Sequence, residues 1–287
     1  MEYSGEISVQ SLSKTYGIRK RIQALDHVSF SVPRGKCAAL VGANGAGKTT
    51  LLSILGGALP RYDGVFRVNG RVGLCPEFSI FFPLMDATEN VEYFSKTVGG
   101  ADSGKISEIL GELNLVPKGQ LSNTFSKGMK RKLDIARALS IGASIILMDE
   151  PFDGLDPTVS SELVEIINRL KFQGITFIVS SHDLYRVAEV ADTVFFLKSG
   201  KLIEEYELNN RNRFTLTVEG KTSTAEESLV QLGCSVINVY GSSLDFESKH
   251  GSKPWEIIAG LIAKGVKITG FSEQKLESVY RRVLNGA

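Results

Sequence analysis

The chain has 287 residues, room for one large domain or two modest ones, and at 43% hydrophobic it can bury a real core. Its formal net charge of +1 argues against a general polyanion binder, nucleic acid included. Cys37, Cys75 and Cys234 lack metal-ligand spacing. With no secretory leader in MEYSGEISVQ they fit a reducing compartment. No apolar run approaches the ~18 residues that cross a bilayer, so a soluble chain is expected, with any membrane role supplied by a partner.

EISVQSLSKTY and QALDHVSFSV alternate apolar and polar residues, as half-buried strands do. Gly35-Lys36 then turns the chain into CAALV, a continuous apolar run that reads as a buried strand. Next comes GANGAGKTT: Gly42, Ala43, Asn44, Gly45, Ala46, Gly47, Lys48, Thr49 and Thr50. Gly42 and Gly47 bracket four residues ahead of Lys48 and Thr49, the spacing of a phosphate loop. A glycine-rich turn lets backbone N–H groups surround phosphate oxygens, and the following helix adds its positive end. Lys48 would reach the β- and γ-phosphates and the Thr49 hydroxyl a Mg²⁺ ion. The plainer alternative is a strand-to-helix turn with a surface lysine. The buried strand before it and an amphipathic helix, Thr49 to Leu59, after it favour the phosphate loop.

From about residue 85 to 140 the pattern is helical, in ENVEYFSKTV, KISEILGELNL and KGMKRKLDIARAL. The last follows TFS, where Ser126 and the Gly128 backbone could bind phosphate at a helix N-terminus. Lys130, Arg131 and Lys132 read as a solvated basic face. Two further apolar runs, SIILM and TFIVS, flank the helical segment TVSSELVEIINRLKFQG. Apolar runs alternating with helices indicate an α/β fold with a parallel sheet covered on both faces.

IILMDEPFDGLD sets Asp149 and Glu150 at a strand end, where one carboxylate can hold Mg²⁺ and the other deprotonate water. A solvated acidic pair is the alternative. FIVSSHDL puts His182 at the mouth of the next strand, where ligands gather in parallel sheets, although lone histidines are more often structural. Tyr16, in SKTYG, could stack on a base or be an ordinary surface tyrosine. TVFFLKSGKLIEEYE reads as a hairpin, and ELNNRNRF as a polar linker around residue 209. The remainder orders as β-α-β-β-α-β plus a final helix, EQKLESVYRRVL, a small ferredoxin-like α+β domain.

At this point the sequence resembles the ATPase subunits of ATP-binding-cassette (ABC) transporters, over about residues 5 to 208. Tyr16 matches the A-loop aromatic, GANGAGKT the Walker A loop and FSKGM the signature motif. ILMDEP matches Walker B, Gly154 to Asp156 the D-loop, and SSH the switch histidine. The tail resembles, less specifically, the small domain on drug-, sodium- and polysaccharide-type exporter ATPases. The resemblance implies a P-loop ATPase domain over 1–208 with a helical subdomain at about 80–140, and an accessory domain over 209–287. It implies ATP and Mg²⁺ as ligands, with Lys48 on the phosphates, Thr49 and Asp149 on the metal, Glu150 as general base and His182 at the γ-phosphate. Ser126, Gly128 and Asp156 would complete the site across a dimer, either of this chain or with a related ATPase.

The implied partner is a polytopic membrane permease, which would put the chain peripherally on the cytoplasmic face of the membrane and power export. Two features depart from the family pattern. Glu77 stands where a glutamine is usual, as a possible third metal contact, and Lys127 and Met129 replace a glycine and a glutamine of the signature. Phe78, Phe81 and Phe82 fit either a groove for the permease or ordinary core packing. A non-transport cassette protein and a regulatory nucleotide-binding module are the alternatives; intact Glu150 and His182 argue against the latter.

Overall fold

A computed structural model describes residues 6–17, 21–100, 102–115, 119–208, 212–248 and 253–285. The chain divides into two units, Met1–Tyr206 and Glu207–Ala287. The polar stretch read as a linker falls partly on residues 209–211, outside the described residues.

The first unit opens with the antiparallel pair β1 (Ile7–Tyr16) and β2 (Ile22–Val32). β3 (Cys37–Val41), buried throughout, runs through the glycine loop into α1 (Lys48–Leu55). This helix stops short of Leu59, because the chain turns at Gly56-Gly57, whose N–H groups bond back to Leu52 and Ile54. β4 (Asp63–Val68) and β5 (Val72–Cys75) follow, two strands that the alternation did not reveal. β4 is largely exposed, so it lacks apolar contrast, and β5 is four residues long with a glycine inside.

Three acid or hydroxyl caps then start three helices. Asp86 forms a capping box ahead of α2 (Ala87–Val98), Asp102 caps α3 (Ser103–Glu112), and Ser126 caps α4 (Lys127–Ser140). The rest of the unit alternates strand and helix: β6 (Ile145–Asp149), α5 (Pro157–Phe172), β7 (Thr176–Ser180), α6 (Leu184–Val190) and β8 (Thr193–Lys198). β9 (Lys201–Glu207) returns beside β8 through the Ser199-Gly200 turn. The main sheet has the order β5-β6-β7-β3-β8-β9, with parallel pairing from β5 through β8.

Strand alternation divides the buried side chains of this sheet between two cores. Ala38, Leu40, Leu147 and Phe195 pack with α1 and the β2-β1-β4 sheet. Cys37, Ile146, Met148 and Val179 pack with helices α2 to α5. The basic run of α4 corrects the sequence reading: Arg131 and Lys132 are 2% and 8% exposed, not solvated. Lys132 pairs with Glu162 at 2.5 Å, while half-buried Lys130 lies over the Phe81 ring.

The second unit contains β10 (Arg213–Val218), α7 (Thr222–Gln231), β11 (Ser235–Tyr240), β12 (Ser243–Glu247), α8 (Pro254–Ala263), β13 (Ile268–Glu273) and α9 (Leu276–Asn285). Its antiparallel sheet has the order β11-β12-β10-β13, the ferredoxin-like arrangement. Phe214, Leu216, Leu244 and Phe246 form its core with Leu229 and Leu261.

Candidate active site

The glycine loop is shaped by close approach. A Cβ on Gly42 would lie 2.3 Å from the Leu197 carbonyl oxygen, and one on Gly47 2.5 Å from that of Ala24. Gly47 also has φ 107°, a left-handed conformation that side chains resist. The β8–β9 turn braces the loop, with the Gly200 N–H donating to the Ala46 oxygen at 3.1 Å. α1 therefore starts at Lys48 with its first N–H groups turned toward the loop, unclaimed by any helical carbonyl.

A cavity of about 550 Å³ opens there. Its lining joins Tyr16, residues 44–50, Glu77, Glu150 and His182, drawn from β1, the loop, the segment after β5 and the ends of β6 and β7. Ile22, Ala24 and Asp153 also line it, and sequence reasoning did not single them out. Tyr16 Oη lies 3.4 Å from Thr50 Oγ1, and its ring is half open to solvent.

Two carboxylates end β6. Asp149, 4% exposed, accepts a hydrogen bond from the Ser180 hydroxyl at 2.5 Å, since β6 and β7 pair Asp149 with Ser180. The same hydroxyl oxygen accepts the Glu150 N–H at 2.9 Å. Glu150 reaches into the cavity between two nitrogens: Lys48 Nζ lies 3.5 Å from Oε1, and His182 Nδ1 2.9 Å from Oε2. Lys48 is 7% exposed and also donates to the Gly42 oxygen at 2.8 Å. A buried cation, a carboxylate and an imidazole thus face one opening, an arrangement able to hold anionic oxygens and deprotonate water.

The chain is 30% identical to the uncharacterized ABC transporter ATP-binding protein YxlF of Bacillus subtilis, over 97% of this chain and 99% of that one. It is 28% identical over its whole length to the bacitracin transport ATP-binding protein BcrA of Enterococcus faecalis, covering 98% of it. The ABC transporter family model matches residues 25–153. This chain is an ABC transporter ATP-binding subunit. Among solved structures, the ATP-binding cassette MJ0796 in a post-hydrolysis state bound to ADP and Pi superposes with a TM-score of 0.64 at 26% identity, over 71% of this chain and 99% of that one. The ABC subunit described here binds ATP and hydrolyses it.

Gly42, Ala43 and Asp149, although part of the glycine loop and the end of β6, lie outside the cavity lining, and so do Ser126, Gly128 and Asp156. The Ser126 hydroxyl caps α4 by accepting the Met129 N–H at 3.2 Å. Gly128 packs so tightly on α5 that a Cβ would meet Val159 Cγ1 at 2.3 Å. Asp156 caps α5, one oxygen accepting the N–H groups of Thr158 and Val159, both at 3.0 Å. The Phe78-to-Phe82 stretch divides: Phe78 is 78% exposed and Phe82 44%, while Phe81 packs partly buried on the core. Lys127, at the altered signature position, pairs with Asp153 at 2.9 Å, which holds that carboxyl below the usual carboxylate range. No cluster of three or more His, Cys, Asp or Glu side chains able to hold a metal occurs among the described residues. None of the described helices is long and apolar enough to cross a membrane.

Proposed function

We propose that Glu150 is the general base of ATP hydrolysis in this subunit, with Lys48 on the β- and γ-oxygens and His182 aligning the attacking water. The supporting observation is the Glu150 carboxylate set between Lys48 Nζ and His182 Nδ1 at the mouth of the glycine loop. Residues 42–49 cradle the phosphates through their backbone, and Tyr16 stacks on the adenine. Thr49 and Asp149 hold Mg²⁺, with Glu77 as a further contact. Two or three hard oxygen donors suit a small cation that shares its shell with phosphates and water, whereas an all-protein cage would need more. Held by these residues, a Mg²⁺ ion would supply positive charge to offset that developing on the transferred phosphoryl group.

Ser126, Gly128 and Asp156 serve the nucleotide of a second cassette, so ATP closes a dimer and hydrolysis reopens it. A dimeric form of the related cassette MJ0796 supports this arrangement. Relatives named for bacitracin and lantibiotic transport support an export role with a polytopic permease. The exposed Phe78, Ile80, Phe82 and Leu84 are, in that role, the docking surface for it, which is consistent with a subunit held peripherally on the cytoplasmic face. On this reading residues 1–208 are the nucleotide-binding domain, with a helical subdomain at about 80–140, and residues 209–287 an accessory domain.

The test is Glu150→Gln in the full chain. ATP binding should persist while kcat falls about 100- to 1,000-fold, because the amide keeps the shape but accepts no proton. Turnover near the wild-type rate would remove Glu150 from the base role.

A further inference from the structure

Arg131, on α4, is 2% exposed; its two terminal nitrogens donate to main-chain oxygens, and Asp134 lies 3.9 Å from Nη1. Nη1 donates to the Pro76 oxygen at 2.5 Å, and Nη2 donates both to the Glu77 oxygen at 2.7 Å and to the Glu150 oxygen at 3.2 Å. One nitrogen therefore holds the peptide carbonyls of Glu77 and Glu150, two of the three acidic residues that line the nucleotide cavity. Along the same face of α4, Asp134 accepts the Ser79 hydroxyl and Arg137 donates to the Ile80 oxygen. Three side chains at successive turns thus hold the segment from 76 to 80 through the Pro76, Glu77 and Ile80 oxygens and the Ser79 hydroxyl.

A guanidinium this buried is an expensive way to fill space, and an aliphatic side chain would pack there without desolvating a charge. What the planar fork adds is direction, several donors fixed relative to one another. Direction matters at Glu150, whose φ of 44° is left-handed, a conformation an ordinary side chain adopts only when its surroundings impose it. They do so from both sides. The Glu150 N–H donates to Ser180 Oγ, and its carbonyl accepts from Arg131 and from the Asp153 N–H at 3.2 Å. The side chain that this backbone aims is the one between Lys48 and His182.

We propose that Arg131 is a positioning residue for ATP hydrolysis: its guanidinium locks the peptide of Glu150 to the peptide of Glu77, so the two move together. It acts through Glu150, and the proposal rests on the reading of Glu150 as base. The run it grips also carries exposed Phe78 and Ile80, so a displacement of that surface passes through Arg131 to the carboxylate.

The experiment measures steady-state hydrolysis and binding of a fluorescent ATP analogue for full-length Arg131→Met and Arg131→Lys, each alone and combined with Glu150→Gln. Arg131→Met should lower kcat about 30-fold with KM and analogue affinity within about threefold of wild type, the signature of a misaimed group. Arg131→Lys, keeping part of the donation, should recover part of that loss. In the Glu150→Gln background, Arg131→Met should add less than about a twofold further loss, since the group it positions is already silent. An unchanged kcat for Arg131→Met overturns the proposal. So does a loss that multiplies in full with that of Glu150→Gln, or a loss of analogue binding in both Arg131 variants. Should Arg131→Met fail to fold, Arg131→Lys and its combination with Glu150→Gln make the same comparison. Fast hydrolysis by Glu150→Gln alone defeats the base reading instead, so the two failures are told apart.

Discussion

In the unit Met1–Tyr206, the Glu150 carboxylate takes its neighbours from distant segments: Lys48 from α1 and His182 from beyond β7, around an opening. In the unit Glu207–Ala287, the Asp245 carboxylate is 1% exposed and its partners belong to its own sheet and the helix beside it. Thr215 Oγ1 and Tyr240 Oη donate to one oxygen at 2.7 and 2.9 Å, and Arg282 of α9 pairs with the other. A carboxylate with partners converging on a cavity is arranged to act on something that enters. One enclosed by donors from neighbouring strands and a covering helix is a latch. Residue type alone does not separate the two; the origin of the partners does.

Glu150→Gln sets the upper end of what this contrast predicts, two to three orders of magnitude in kcat with folding left intact. The reverse outcome is expected for Asp245→Asn. Removing one partner of a buried ion pair, here the charge of Asp245 opposite Arg282, costs about 4 kcal/mol. Trp255, the only tryptophan in the chain, lies on α8 of the same unit, so its fluorescence reports that unit's unfolding in urea. The Asp245→Asn midpoint should fall while affinity for an ATP analogue stays at the wild-type value. An unmoved midpoint would show that Asp245 is no latch, and the contrast would collapse.

The same contrast explains how far the sequence could be read. GANGAGKTT was legible because phosphate-loop chemistry needs fixed local spacing, and Asp149, Glu150 and His182 because they follow apolar strands whose ends gather at one edge. Ser180 was not, since its hydroxyl matters only through the pairing of β6 with β7, which puts it opposite Asp149. Asp153, Ile22 and Ala24 likewise join the cavity through neighbours far along the chain. Arg131 was misread because helical periodicity cannot tell a cation facing water from one facing carbonyls. Asp245 gave no sign either: in SLDFE it alternates with Leu244 and Phe246, as a solvent-facing residue would. The order of strands and helices in the second unit, by contrast, followed from alternation and turn residues alone.

Asp134 tests the contrast from inside the first unit, being a carboxylate enclosed as Asp245 is. Burial pushes its carboxyl up to about 6, against the opposing pull of the Ser79 hydroxyl, Arg137 and Arg131. With the folded pKa above the unfolded value, the folded chain holds a proton that the unfolded chain has lost. The associated stability is therefore present below about pH 4, declines as pH rises to about 6 and stays lost above it, about 3 kcal/mol in all. Asp26, Glu92 and Asp153, with lowered values, slope the other way, so the difference between wild type and Asp134→Asn isolates the effect. Urea midpoints from pH 4 to 7 should show that difference changing across this window. A constant difference would place Asp134 among solvated acids.

Lys127 and Asp153 supply the smallest effect and the sharpest boundary case. Their side chains are 43% and 46% exposed, so the pair should contribute no more than about 0.5 kcal/mol to folding, unlike the enclosed pair of Asp245 and Arg282. Asp153 nevertheless lines the nucleotide cavity, and Lys127 is the cation beside it. Lys127→Ala uncovers a negative charge where phosphates bind, so affinity for an ATP analogue should fall about threefold at low salt. The deficit should shrink as ionic strength rises and the Debye length shortens toward the distances involved. Lys127→Ala combined with Asp153→Asn should restore the affinity, because the uncovered charge is gone. If Lys127→Ala instead lowers the unfolding midpoint and leaves affinity untouched, the pair is a latch despite its exposure. Cavity lining would then not mark the carboxylates that act on a ligand.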